Sequence, residues 1–343
     1  MNKLKNTAKR LNRELATLFV LIVIVVIFSA KEPRYMDLAN LIDIIEQAVI
    51  NGFLAIGVTF AIITGGIDLS VGSIMAVAIV ACGQLAVSGL PPVAVMGIGM
   101  LLGLALGSVN GLLITKMKLQ PFIATLGTCS ILRGVAYVIT DGWPVLNIPS
   151  AFRSLFQNEV VDGVRMSMIY LLLMAVVFAF VLKRTRAGVY IYSIGSNEEA
   201  TKLSGVNTDR YKIVAYALCG LASAMAGMVT LARLGTGEPT AGQGYELNAI
   251  AAAAIGGASL AGGKGSILGT VLGALTLSAL RVGLVVIGMD TFYQYIATGL
   301  IIVVAVYFEV MKNNVIKLAS RRRQLRQRTS PATSSGASAD KKE

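Results

Sequence analysis

Long apolar runs, separated by short polar segments, recur along the chain up to about residue 310. A run of about 20 apolar residues can cross the hydrocarbon core of a bilayer as an α-helix. Because the runs lack the polar faces and linkers of soluble helices, the pattern predicts membrane spans. We expect ten spans, at 15–30, 47–64, 71–88, 93–114, 121–140, 166–182, 212–231, 247–261, 266–286 and 293–309.

The composition agrees with an all-α, polytopic membrane protein of about ten transmembrane helices. Hydrophobic residues make up 55% of the 343 residues and charged residues 14%, whereas a typical soluble domain has about 25% charged residues. The pattern divides the chain into a basic N-terminus at 1–14, a transmembrane domain at 15–310, and a basic, low-complexity tail at 311–343.

The positive charge lies mostly between and beyond the expected spans. The net charge is +12, with five basic residues in the first 13 positions and nine after position 311. Lys and Arg residues beside membrane spans mark the cytoplasmic side. With ten spans, both termini and the polar segment 183–211 are therefore expected in the cytoplasm. No nucleic-acid partner is expected, since it would need a basic face with interleaved aromatic residues.

Residue types needed for common catalytic and metal sites are scarce. The chain has no His, which removes the commonest general base and the His-containing triads. Cys82, Cys129 and Cys219 lie in apolar runs without a metal-binding spacing. In GGASLAGGKGS, Ala258 and Gly265 break the pattern of a phosphate-binding loop. We therefore expect no catalytic residue, no metal and no cofactor bound by this chain.

Two glycine-rich segments echo each other in the two halves of the chain. GGIDLSVGSI at 65–74 is similar to GGASLAGGKGSI at 256–267, which has two more residues, and Gly65 and Gly66 match Gly256 and Gly257. Such paired interruptions in a membrane protein point to a transport pathway. The alternative is a cytoplasmic turn between two helices, which glycine also favours. The candidates for a pathway lining or a structural break are Gly65, Gly66, Asp68, Ser70, Gly256 and Gly257.

Asp68 places a carboxylate inside the first glycine-rich segment. Asp68 and Ser70 can accept hydrogen bonds from N–H groups freed by a break, as an N-cap does, before a helix starting near Val71. A carboxylate within a membrane also marks transport pathways. The structural role is the favoured interpretation.

The polar segment 183–211 contains the start and stop signals of a short helix, SNEEATKLSG. Ser196 or Asn197 can cap its N-terminus, and the two glutamates after them suit the first turn. Lys202 suits the last turn, and Gly205 can end the helix. A self-capped helix between spans is a docking element for a partner or simply an ordered loop.

Several longer stretches resemble the permease subunit of bacterial sugar ABC importers. They are LAIGVTFAIITGGIDLSVGS, LQPFIATLGT, RTRAGVYIYSIGSNEEATKLSGVNTDR, ARLGTGEPTAGQGYELNAIAAAAIGGASLAGGKGSILGTVLGA and YQYIATGLIIVVAV. The resemblance covers roughly 15–310. The glycine-rich motifs are similar across permeases for several sugars, and SNEEATKLSGVN and PTAGQGYELNAIAA are most similar to the ribose permeases.

The resemblance implies a bacterial inner-membrane subunit that translocates ribose or a similar monosaccharide delivered by a periplasmic binding protein. A second permease copy or a related permease, membrane lipid and a cytoplasmic ABC ATPase are the implied partners, and the ATPase holds ATP and Mg²⁺. In such importers a short cytoplasmic helix contacts the ATPase. By this resemblance the coupling residues are Asn197, Glu198, Glu199, Ala200, Lys202, Leu203 and Gly205.

Two other classes of function remain open from the residues alone. An ion-coupled secondary transporter would use intramembrane carboxylates, for which Asp68 is the clear candidate. A membrane-embedded enzyme would need converging acid, base or metal residues. Arg133 and Arg281 lie within spans, where an Arg usually pairs or bonds backbone carbonyls. Asn110, Gln84 and Gln120 can bond sugar hydroxyls or link helices.

Overall fold

The structure is a computed structural model, which describes residues 2–290 and, after these, 292–294, 296–297, 299–300, 303–304, 307 and 311, with side chains from residue 14 onward. Twelve α-helices and one two-stranded hairpin lie in residues 2–290. They are α1 Asn2–Lys31, α2 Leu38–Ile63, α3 Val71–Val87, α4 Pro92–Thr115, α5 Pro121–Thr140, α6 Ser150–Gln157, β1 Glu159–Val161, β2 Val164–Arg165, α7 Met166–Arg184, α8 Arg186–Ser196, α9 Glu198–Leu203, α10 Thr208–Leu234, α11 Tyr245–Ile255 and α12 Ile267–Val286.

Seven of the helices are long and apolar enough to cross a membrane, which confirms an all-α polytopic protein. They are Glu14–Lys31, the membrane-length part of α1, and α2, α4, α5, α7, α10 and α12. Two further expected spans correspond to the shorter apolar helices α3 and α11. The expected boundaries of the second and eighth spans are wrong, because α2 already begins at Leu38 and α11 already ends at Ile255. The tenth span, 293–309, and the tail 311–343 lie largely outside the described residues, so the count of ten stays a prediction.

Helices α2 and α10 form the centre of the bundle. α10 packs against α4, α2 and α3, and α2 also packs against α11 and α12. Most residues of both are buried, whereas fewer than a quarter of the residues are buried in the membrane-length parts of α1, α4, α5 and α7. These exposed apolar faces are available to lipid or to other membrane subunits.

A glycine at every fourth position of α4 brings this helix close to α10. Gly99, Gly103, Gly107 and Gly111 are all buried. A Cβ at Gly103 or Gly107 would overlap backbone atoms of α10. Small residues at this spacing let two membrane helices approach closely enough for backbone packing, which replaces the hydrophobic driving force that lipid removes. These four glycines therefore allow α4 to pack closely against the central helix α10.

The bundle has two ends that we name by their elements. The α8–α9 end contains α8, α9, the last residues of α2, α4 and α7, and the start of α10, where Lys116 pairs with Asp209 at 3.2 Å. The opposite end contains the start of α2, the hairpin, and the end of α10. There Arg233 Nη2 pairs with Asp43 Oδ1 at 2.6 Å, and Glu46 pairs with both Arg233 and Arg165.

Candidate functional site

The short helix expected between the spans is present as α9. The Asn197 side chain accepts a hydrogen bond from the N–H of Ala200 at 2.9 Å and so caps the helix. Gly205 has a φ of +79° and directly follows the last turn, with its N–H bonded to Lys202 O at 2.9 Å. A left-handed glycine after the last turn is a common way to end a helix. Local sequence signals therefore define both ends of α9.

Glu198 fixes α9 to the start of α10. Its carboxylate pairs with Lys212 Nζ at 2.6 Å and with Lys202 Nζ at 2.9 Å. Burial acts to raise the pKa of Glu198, but the hydrogen bonds from Lys212 and Lys202 outweigh it and hold that pKa below its usual value. The pairs leave the outer face of α9 free. On that face Leu203 is 90% exposed, and Glu199 and Ala200 are exposed beside it.

Helix α8 precedes α9 directly and is not predicted by the sequence pattern. The side chain of Thr185 accepts a hydrogen bond from the N–H of Gly188 at 3.2 Å and caps the start of α8. Its buried residues Gly188, Ile191 and Ile194 recur at helical spacing, but the helix has only 11 residues, which is a short window for recognising the period from sequence. Between α8 and α9 lies a groove of about 400 Å³ that includes Val189, Tyr190, Ala200 and Ser204.

Helix α8 rests on both glycine-rich segments. A Cβ at Gly195 would overlap the backbone of Ile63 and of Gly263. Gly263 N–H in turn donates to Ile63 O at 2.9 Å, and Tyr192 Oη donates to Gly265 O at 2.8 Å. The segment before the predicted coupling helix therefore contacts the end of α2 and the loop between α11 and α12 together.

Each glycine-rich segment is a break between two helices, and each begins with the same cap. Gly65 N–H bonds to Ile62 O and Gly257 N–H to Ala254 O, both at 2.9 Å. Their φ values are +87° and +88°. The structural equivalent of Gly65 is therefore Gly257, so the pairing of Gly65 with Gly256 in the sequence echo is wrong by one residue. Two extra residues in the second segment allow both alignments by sequence alone.

The first break is closed by a buried network around Asp68. Asp68 Oδ1 accepts hydrogen bonds from Ser70 N–H at 2.9 Å and from Ser70 Oγ at 2.6 Å, as expected for a carboxylate that satisfies a freed N–H. The hydroxyl of Ser70 also accepts from Asn110 Nδ2 at 2.7 Å. Within the described residues Ser70 makes no cap bond of its own, because its hydroxyl is occupied by these partners. Gly66 lies against Tyr216 of α10 at the same place.

Arg133 and Gln84 link elements through backbone carbonyls, as the sequence suggests for polar residues within spans. Arg133 Nη1 donates to Pro239 O and to Ala241 O, both at 2.7 Å. Gln84 Nε2 donates to the carbonyl of α5 residue Ile139 at 2.9 Å. Gln120 is exposed at the start of α5. Arg133 and Gln84 therefore serve to hold helices and loops together.

The candidate residues thus form one connected region at the α8–α9 end. The predicted coupling residues lie on α9, the predicted break residues lie in the two glycine-rich segments, and α8 joins them. Gly195, Tyr192 and Gly263, which make this joint, are absent from the expected set. The one sequence signal for this joint is Gly195 in SIGSN. Its close contacts are with backbone that is distant in sequence, so neighbouring residues do not predict them.

The chain matches the model of the family described as branched-chain amino acid transport system / permease component over residues 40–306. It is 40% identical to the ribose import permease protein of Bacillus subtilis (strain 168) over 85% of this chain and 91% of that protein. It is 40% identical to the ribose import permease protein of Escherichia coli (strain K12) over 87% and 94%.

The D-allose transport system permease protein of Escherichia coli (strain K12) is 38% identical over 84% of this chain and 89% of that protein. No solved structure matches the chain. A match of this length to the family, together with relatives aligned over almost their whole length, leads to one conclusion: the chain belongs to the family of transport-system permease components.

Proposed function

We propose that this chain is the permease subunit of an ATP-driven importer that translocates ribose or a similar monosaccharide delivered by a periplasmic binding protein. The subunit lies in the bacterial inner membrane beside a second copy or a related permease. The α8–α9 end and both termini face the cytoplasm, where a partner ATPase binds and hydrolyses ATP with Mg²⁺. The sugar class is supported by relatives named for ribose, allose and galactose or methyl galactoside.

The observation that carries the ATP-driven mechanism is the joint between α9, α8 and both glycine-rich breaks. α9 presents Leu203 to solvent, while α8 rests on the backbone at Ile63 and Gly263. Movement of a partner against α9 is therefore transmitted through α8 to the C-terminal end of α2 and to the loop before α12. Burying the apolar surface of this exposed leucine in a partner protein would stabilise the complex.

The test is the change Leu203→Asp in cells that carry the complete importer. Burying an unpaired carboxylate in an apolar pocket is unfavourable, by about 2 kcal/mol, so we expect the affinity for the ATPase to fall about 30-fold and ATPase co-purification to fall with it. Sugar uptake should be abolished while the amount of folded permease in the membrane is unchanged. Leu146→Asp is the matched control, since Leu146 is 55% exposed in the loop at the opposite end.

Full uptake and normal ATPase co-purification by Leu203→Asp would refute the coupling role of α9. Uptake that persists without any ATPase, and that collapses with the proton or sodium gradient, would instead indicate the ion-coupled transporter. Asp68 would then be the first residue to test.

A further inference from the structure

A polar cavity of about 280 Å³ lies at the opposite end of the bundle from α8 and α9. Its lining residues lie on α2, α10, α11 and α12 of one chain. Its size is near the lower limit of small-molecule sites, which is about 300 Å³. The cavity is lined by Gln47, Ile50, Asn51, Arg233, Tyr245 and Arg281.

Asn51 contributes a buried acceptor that lacks a partner. The residue is 4% exposed, and its Oδ1 atom has no hydrogen-bond partner within the described part of the chain. Its Nδ2 atom is 3.4 Å from Ser278 Oγ, a long contact. Since most buried polar atoms are hydrogen bonded, this oxygen is a place where a hydroxyl or N–H group of a ligand would be stabilised.

Arg281 contributes donors that are likewise unused. No hydrogen bond or ion pair is formed by Arg281 within residues 14–290 and the later described positions. Arg233 differs, because its guanidinium is held by Asp43 and Glu46. A guanidinium offers five N–H donors and no acceptor. The cavity thus offers an acceptor at Asn51 and free donors at Arg281.

The charge balance around the cavity selects among ligand classes. The carboxylate of Asp43 pairs with Arg233. The carboxylate of Glu46 pairs with both Arg233 and Arg165. A free amino acid would therefore find no open carboxylate for its ammonium group. A fully deprotonated inorganic anion such as sulfate would accept from Arg281 but would leave Asn51 Oδ1 without a donor, and phosphate, which keeps a hydroxyl donor, is therefore included in the test below. A neutral polyol supplies donors and acceptors together, from hydroxyls a few ångströms apart.

We propose that this cavity binds one molecule of the transported monosaccharide within each permease chain. Asn51 Oδ1 accepts a hydrogen bond from a sugar hydroxyl, and Arg281 donates to hydroxyl or ring oxygens. The ring of Tyr245 covers an apolar face of the sugar. The site rests on the proposed function, because the sugar class is taken from it, but the position and the residues come from the cavity.

The experiment uses the complete importer, permease with ATPase and binding protein, in proteoliposomes. Gln47→Cys serves as a reporter in a Cys129→Ala background, and its alkylation rate is measured with and without D-ribose, D-allose or D-galactose at millimolar concentration. We expect whichever sugar is taken up to slow alkylation severalfold, while inorganic phosphate and L-leucine do not. Protection by phosphate or leucine but by none of the sugars would overturn the proposal.

Two substitutions then test the named residues. Asn51→Leu should raise the half-protecting sugar concentration about tenfold, the effect of losing one good hydrogen bond in a buried site. Asn248→Leu, the same change on α11 outside the cavity lining, should leave it unchanged. Arg281→Gln, at a half-buried position, gives a second measurement if Asn51→Leu lowers the yield of folded protein, and it should weaken protection in the same way.

The same proteoliposomes separate failure of the site from failure of the proposed function. Normal uptake of a monosaccharide with no protection of the reporter, or with protection unchanged by both substitutions, would refute the site and leave the importer assignment intact. Absence of uptake for every monosaccharide tested would refute the proposed function itself, and the sugar site with it.

Discussion

The two glycine-rich breaks begin with the same cap and then lead in different directions. After Gly65 the chain turns into α3, which packs against α5 and α10 and hardly touches α2. After Gly257 the chain turns into α12, which packs along α11 as well as along α2. The helices on either side of the first break, α2 and α3, therefore lie apart, whereas those on either side of the second break, α11 and α12, pack against each other.

The two breaks also differ in the residues that stabilise them. The first contains Asp68, which is fully buried and bonded to Ser70. The second contains Lys264, which is exposed, and it meets its neighbours through backbone groups such as Gly263 N–H. The comparison shows that a glycine cap ends a helix but does not decide where the chain goes next. The buried side chains of Asp68 and Ser70 do so in the first break, whereas in the second break close backbone contact at Gly263 acts together with Ser266, whose side chain caps α12.

The largest effect is expected from Gly195→Ala, because α8 touches both breaks at this residue. The added Cβ would overlap the backbone of Ile63 and Gly263, and backbone cannot move aside as a flexible side chain can. We expect a loss of about 3 kcal/mol in the free energy of unfolding, the upper part of the range for overpacking. The measurement is thermal unfolding of the purified permease, together with sugar uptake.

The matched control for this change is Gly134→Ala on α5. A Cβ there meets no atom within 4 Å among the described residues, and alanine is a better helix former than glycine by about 1 kcal/mol. The control should therefore be neutral or slightly stabilising. Equal unfolding temperatures for the two variants would show that α8 does not rest rigidly on the breaks.

A smaller effect is expected when the ionisable residue of each break is removed. Asp68→Ala leaves Ser70 N–H without its buried acceptor, which costs about 1–3 kcal/mol. Lys264→Ala, at an exposed position, should change the free energy of unfolding by less than about 0.5 kcal/mol. The measurement is again thermal unfolding, with sugar selectivity determined in parallel and expected to stay unchanged.

Asp68→Asn separates geometry from charge in the same experiment. Asparagine keeps the acceptor oxygen at Oδ1 and removes the charge, so the structural role requires its stability to lie nearer to that of the unmodified protein than to that of Asp68→Ala. If Asp68→Asn kept its stability but lost uptake or changed selectivity, the carboxylate would belong to the pathway rather than to the break.

Local signals were sufficient to predict some of these features. Asn197 and Gly205 define α9 because a cap and a left-handed glycine act on adjacent residues. The membrane helices could be predicted because the length and polarity of a span are set by the bilayer. Asp68 could likewise be expected to satisfy a freed N–H two residues away.

Features that depend on distant residues could not be predicted in this way. α8 depends on contact between Gly195 and the backbone of two other elements. The polar cavity brings together Asn51 and Arg281 from α2 and α12, which lie far apart in sequence. The alignment of the two breaks differs by one residue from the sequence echo, because the φ value that distinguishes Gly257 from Gly256 is a property of the folded chain.

The smallest effect concerns that alignment and tests whether the caps are equivalent. Gly65 and Gly257 both have positive φ, so replacing either by Ala should cost about 1 kcal/mol, the usual penalty for a Cβ in the left-handed region. Asn tolerates this region better than Ala, and each Asn variant should therefore be more stable than its Ala counterpart.

Gly256 is the control, because it has a φ of −68°, and a Cβ there would overlap the backbone of Gly269. Asn should thus give no advantage over Ala at Gly256, as thermal unfolding of the six variants will show. A benefit of Asn at Gly256 but not at Gly257 would restore the sequence pairing of Gly65 with Gly256 and remove the basis for treating the two caps as the same structure.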